Sequence, residues 1–146
     1  MAAHPAEPVG DYWERHELAC ALTLGATGRP CVQAGVELLI DTDLWLHRPD
    51  FVDEYITIDA SVATALAFVD WDKAIAALQE GRLPCSGGER AVLRIAASMS
   101  GGILVDLRDA LTSLDGVNLA LAATAIGNAA RHPAGSAGAW KEAEDT

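Results

Sequence analysis

Cations are scarcest in this chain where acids are densest. Between residues 37 and 72 nine carboxylates (Glu37, Asp41, Asp43, Asp50, Asp53, Glu54, Asp59, Asp70 and Asp72) face one cation, Arg48, and the whole 146-residue chain carries a formal charge of −11. A surplus of Lys and Arg is the starting point for binding a nucleic-acid backbone, and its lack argues against that partner and against an anionic membrane surface. Cysteine is equally sparse. Cys20, Cys31 and Cys85 are too few and too scattered for a secreted disulfide framework, and no C-x-x-C pair offers thiol redox chemistry. No run of about eighteen apolar residues is present, and Met1 to Pro5 has neither a basic stretch nor an apolar signal core, so a cytoplasmic protein is expected. Two Phe and two Tyr are few for a strand-rich domain, which usually draws on aromatic and β-branched residues.

What is plentiful is alanine and leucine. Half the residues are apolar, enough for a true core in one domain of this length. The expected architecture is all-α: a compact single-domain bundle of about six to seven short helices, with room for one short strand pair. Residues 1–10 read as a leader, 11–132 as the helical domain, and 133–146, with Trp140, as a tail.

Punctuation divides the domain. Asp11 with Glu14 resembles a capping pair, and Gly25 stops a helix carrying Trp13, Leu18 and Leu22. From Cys31 the residues Val32, Val36, Leu39, Ile40 and Leu44 recur at helical spacing up to the boundary at Arg48 and Pro49. Pro49 opens a segment with Phe51, Val52, Tyr55 and Ile56 on one face and Asp50, Asp53 and Glu54 on the other. An Ala-rich stretch to Phe68 follows. Asp70 caps a helix with Trp71, Ile75 and Leu78 inward, stopped by Gly81. Ser86 and Glu89 form an S-x-x-E capping box ahead of the Val92, Ile95, Ala96, Met99 stripe, ended by Gly101 and Gly102. Asp106 starts a helix with Leu107, Ala110, Leu111 and Leu114 inward. From Val117 to Ala130 the chain is apolar nearly all round, the pattern of a central helix. Short apolar runs at 36–40 and 55–58 are ambiguous between helix and strand.

Four constellations bear on chemistry. Asp41, Asp43 and His47 have the ligand types of a cation site without calcium-loop or zinc spacing, so a solvated acidic helix end accounts for them as well. His16, Cys20, Cys31 and Cys85 have zinc-ligand chemistry without the usual knuckle. Ser86, Gly87 and Gly88 precede a helix N-terminus, which favours anions and would lower the pKa of Cys85, yet the capping box already explains them. Arg82, Arg90, Arg94 and Arg108 leave the second half nearly neutral and, with the loosely helix-turn-helix spacing of Ala97, Gly101, Leu107 and Ala110, form the basis for a DNA-binding regulator. The helix from Asp106 carries one cation and two acids, the reverse of a DNA-reading helix, so a plain helical hairpin is the better account.

Two resemblances add to this. Leu38 to Trp45 looks like the first motif of PIN-domain nucleases, and Asn118 to Ala125 resembles a later helix of that family, which implies a metal-dependent nuclease or hydrolase using Asp41 and Asp43. Asn118 stands where the family has a carboxylate, and the first motif comes about forty residues late. The tract Leu83 to Ser98, with Val105 to Leu111, Leu114 and Asp115, and Trp45 to Val52 besides, looks like a family of small uncharacterised actinobacterial proteins. That likeness implies a bacterial cytoplasmic protein and brings no activity, cofactor or partner.

The reading that fits best is a non-enzymatic, acidic protein-interaction or regulatory module. Asp50, Asp53 and Glu54 would meet a basic protein surface, with Trp45 and Tyr55 expected at the surface as aromatic anchors. No cofactor is implied. A homodimer is also expected, since an Ala-rich apolar helix and uneven charge both suit a two-fold interface.

Overall fold

The computed structural model describes residues 14–61 and 63–131. Among them are seven α-helices, one 3₁₀ turn and one two-stranded antiparallel sheet, so the fold is mostly helical. The expected leader, tail and Trp140, and the proposed cap Asp11 with Trp13, lie outside the described residues.

Helix α1 (Arg15–Gly25) starts after Glu14, whose N–H donates to the Glu17 carboxylate at 3.3 Å, and it buries Leu18, Ala21 and Leu22. Gly25 ends it, as expected from the sequence, but space also matters there: a Cβ would run into the Ala67 carbonyl of the neighbouring strand. The turn that follows uses Gly28 at φ 84°.

Helix α2 (Pro30–Asp41) has Pro at its first position, where a missing N–H costs nothing. It was expected to reach Pro49, yet it stops at Asp41. Asp43 then adopts a left-handed φ of 57°, and a 3₁₀ turn (Trp45–His47) carries the chain to α3 (Pro49–Tyr55). An aspartate tolerates that conformation better than a β-branched or bulky side chain, and it lets the chain reverse without glycine.

Of the two ambiguous apolar runs, 36–40 is helix and 56–59 is strand. β1 (Ile56–Asp59) pairs with β2 (Leu66–Val69) in the register Ile56↔Val69 through Asp59↔Leu66. The Ala-rich stretch to Phe68 therefore ends as a strand, drawn into pairing by Leu66, Phe68 and Val69, whose shapes suit a pleated surface.

The next helices follow their signals closely. Asp70 accepts from the Lys73 N–H at 3.1 Å to cap α4 (Trp71–Gln79), and Gly81 at φ 77° closes it. Ser86 and Glu89 cap α5 (Gly87–Gly101) reciprocally, at 3.2 and 2.8 Å, and Gly102 ends it in the left-handed region. Asp106 caps α6 (Leu107–Ser113), and Asp115 caps α7 (Gly116–Ala130).

The core lies where α2 meets α5, with α7 along α2, α1 against β2, and α4 against α5. Gly35 lies in this α2–α5 contact; a Cβ there would strike Ser100 Oγ and the Ala96 carbonyl. Two expectations fail. Helix α7 is peripheral and buries only Ala122 and Ala125, while in α6 Leu107 and Leu111 are exposed and Ala110 alone is buried. Small side chains let α7 approach α2 closely on one face, and nothing among the described residues covers the other.

Gly35→Ala is expected to destabilise the fold by about 1–3 kcal/mol, the usual range for overpacking, although alanine is the better helix former. The Ala96 carbonyl is backbone and has no rotamer to give. Urea unfolding of the variant beside wild type measures the difference; an unchanged or raised midpoint would show that the helices separate freely.

Candidate functional site

The short helix α3 displays the acidic surface. Its buried side is Phe51, Val52 and Tyr55, so the 3.6-residue period turns Asp50, Asp53 and Glu54 outward, and all three are exposed. Asp72, in the first turn of α4, is also exposed, and α4 packs on α3. Lys73 links the two helices with a 3.4 Å ion pair to Glu54, and its ammonium lies 5.9 Å from the Tyr55 ring centre.

The aromatic anchors are not at this surface. Trp45 is 0 % exposed and Tyr55 4 %, which corrects the expectation that they flank the acids as contact residues. They form a tilted stack with Phe51 between them, at centroid spacings of 5.3 and 5.6 Å, and this stack is the floor under α3. Aromatic area near a charge cluster serves packing as readily as contact, and here packing claims it. The Trp45 indole N–H is buried without a hydrogen-bond partner among the described residues.

Arg48 joins floor and surface. Its guanidinium sits 4.9 Å above the Trp45 ring, donates from Nη1 to the Pro84 carbonyl at 2.7 Å, and forks onto Asp50 through Nε at 3.0 Å and through Nη2. The guanidinium beside Asp50 holds that carboxyl below its ordinary value, and Asp50 in turn raises Arg48. The one cation of the acidic region is thus committed internally.

The candidate metal ligands do not converge. Asp43 Oδ1 meets His47 Nε2 at 2.9 Å and Arg15 at 3.4 Å, and the hydrogen bond from His47, with Arg15 behind it, lowers the Asp43 pKa. Asp41 ends α2 two residues before Asp43. Among the described residues no three His, Cys, Asp or Glu side chains gather closely enough to hold a metal ion. Cys20 and Cys31 are exposed and Cys85 is half-buried, all as free thiols. Burial pushes the Cys85 thiol up, against the lowering expected from the adjacent helix end, because desolvation outweighs the attraction of Arg90 and Arg48.

The start of α5 is occupied from within. Glu89 takes the Ser86 N–H, and Gly87 and Gly88 face Ser113 and Asn118. The arginines behave as structural residues too: Arg82 bonds Glu80, and Arg94 bridges to Asp109 at 3.0 Å, fastening the α5–α6 hairpin. Arg90 and Arg108 are exposed.

One cleft went unforeseen. Of about 100 Å³, it opens between α1, α2, β2, α4 and α5, with Leu22, Val36, Phe68 and Trp71 on its walls and Arg29 and Ser100 as polar members. Arg29 donates to the Gly25 carbonyl at 2.7 Å, and Ser100 to the Val32 carbonyl at 3.4 Å. The available sequence signal was Gly25, whose lack of a side chain lets α1 and β2 meet beside the cleft.

No family profile matches the chain, and no curated protein or solved structure gives a significant match. No described helix is long and apolar enough to cross a membrane.

Arg48→Ala is expected to cost about 1–3 kcal/mol, combining a partly desolvated cation–π contact with a hydrogen bond to backbone. Asp50→Asn should cost less, about 1 kcal/mol or under, because the carboxylate is half exposed and solvent screens it. The folded Asp50 pKa is depressed, so its contribution is full above the unfolded value of about 3.9 and disappears as pH falls through the folded value. Denaturant titrations from pH 7 downward should show the wild-type lead over Asp50→Asn shrinking only in acid; a gap that is constant with pH refutes the pair.

Proposed function

We propose that the chain is a non-enzymatic protein-interaction module of a bacterial cytoplasm, presenting the acidic surface of α3 and the start of α4 to a basic protein surface. The observation that carries this is the exposure of Asp50, Asp53, Glu54 and Asp72 on two packed helices over a rigid aromatic floor. Carboxylates held on fixed elements make a field that steers a cationic partner and lose little freedom when it docks.

The metal-dependent hydrolase reading has less support, since Asp43 and His47 engage each other and Asp41 stands apart from them. A DNA-binding regulator is disfavoured in the same way, with Arg82 and Arg94 each turned toward an acid. The resemblance to small actinobacterial proteins is compatible with the interaction role and adds no residue to it.

Asp50 is tied to Arg48, so the informative variant spares it. Asp53→Asn, Glu54→Gln, Asp72→Asn alters the outward charge, gives up the exposed Lys73–Glu54 pair and keeps the Arg48 fork. Affinity capture from nuclease-treated bacterial lysate, at low and high salt, is expected to recover a basic protein with wild type, to lose it at high salt, and to lose it with the triple variant. Equal recovery by a folded variant would refute the reading, as would the absence of any salt-sensitive partner.

A further inference from the structure

Helix α7 has an unusual surface for so acidic a chain. None of its fifteen residues is charged, yet it lies at the periphery and leaves Val117, Leu119 and Ile126 exposed at 73, 47 and 45 %. Between them Ala120, Ala123, Thr124, Gly127 and Ala130 are exposed as well. On a 3.6-residue helix Gly116, Leu119, Ala120, Ala123, Ile126, Gly127 and Ala130 share one face, opposite the buried Ala122 and Ala125.

We propose that this face is a homodimer interface in which α7 packs antiparallel against α7 of a second copy, with the two-fold axis at Ala123. Residue 123 is the midpoint of the helix Gly116–Ala130. In that register Leu119 meets Gly127 of the second copy, Ala120 meets Ile126, Ala123 meets Ala123 and Gly116 meets Ala130. Each large side chain falls opposite a small one, the complementarity that a two-fold interface demands of a single surface. Small residues at the crossing bring the axes to the near end of the usual 8–10 Å separation.

Charge selects the same occupant. Two chains of −11 repel each other most strongly through their acidic first halves, and an uncharged face in the nearly neutral second half lets copies meet without opposing like charges. Area bears on its strength. Leu119 and Ile126 on the face and Val117 at its edge, at about 100 Å² each, offer on the order of 300 Å² of apolar surface, below the ~800 Å² per partner of a standard interface, which is the size for a weak, concentration-dependent dimer. The inference draws nothing from the acidic surface of α3, and salt separates the two: screening strengthens a contact between like-charged copies and weakens docking to a basic partner.

Light scattering of the full chain across concentration and salt is the test. Wild type is expected to approach twice the 15.3 kDa chain mass, more completely at higher salt. Ala123→Glu places two carboxylates at the axis and should raise the dissociation constant at least about 100-fold. Its circular dichroism should not change, because the site is exposed and Glu is a good helix former. Ala123→Cys should form a disulfide-linked dimer under mild oxidation, above the background of wild type with its own three thiols, whereas Val117→Cys, at the helix edge, should not. A monomer under all conditions overturns the proposal, whether the face is then bare or covered by the chain's own residues 132–146. So does a dimer that survives Ala123→Glu, or one that leaves Ala123→Cys uncrosslinked.

Discussion

The contact between α2 and α5 at Gly35 constrains where every other element can lie. With no side chain at 35, the Ser100 hydroxyl and the Ala96 carbonyl come up against the α2 backbone, and the two helices pack nearly backbone to backbone. Such a pair is rigid because no flexible side chain separates it. Helix α7 then lies along α2 through Ala122 and Ala125, and α4 lies on α5, with Trp71 against Gly101. Glycine recurs where elements approach most closely, as at Gly25 against the Ala67 carbonyl, so the abundance of small residues is a packing device as well as a helix-forming one.

The acidic surface depends on this frame indirectly. Helix α3 has seven residues, too few to be stable alone, so it is held by what it buries. That is the Trp45, Phe51, Tyr55 stack, tied through Arg48 to the Pro84 carbonyl just ahead of α5. The same guanidinium satisfies Asp50. A single arginine therefore supports the aromatic floor, joins two distant parts of the chain and tempers the charge above.

Local chemistry in the sequence was a good guide wherever it acted locally. Asp70, the Ser86–Glu89 pair, Asp106 and the Gly81 and Gly102 stops are all visible as residue types at short spacing, and each acts in the structure as that spacing predicts. What could not be read was tertiary. Periodicity shows that Trp45 and Tyr55 lie near acids but not which way the chain turns after Asp43, and that turn decides that they face the core. Nor does an all-round apolar pattern separate a central helix from a peripheral one with a second apolar face, which is why α7 was misplaced and Leu107 and Leu111 were expected inside. The cleft beside Gly25 has the same cause, since its walls come from five elements that only folding brings together. The acidic face itself was read correctly, because exposed carboxylates opposite Phe51, Val52 and Tyr55 follow from helical period alone.

The distribution of charge sets the two surfaces apart. Folding places charged side chains outside because an unpaired buried charge is costly, so an outward helix without any is the exception that calls for a reason. Helix α7 could carry lysine or glutamate at Ala120, Ala123 or Thr124 with no loss of packing against α2, since all three point away from it. Solubility alone would favour those substitutions. The acids gathered on α3 and α4 favour dispersion, while α7 stays bare of charge, and the proposed contact between copies there would leave both acidic surfaces free for the proposed partner of opposite sign. On the proposed dimer, self-association and partner binding would coexist, and the two chains together would present two acidic faces.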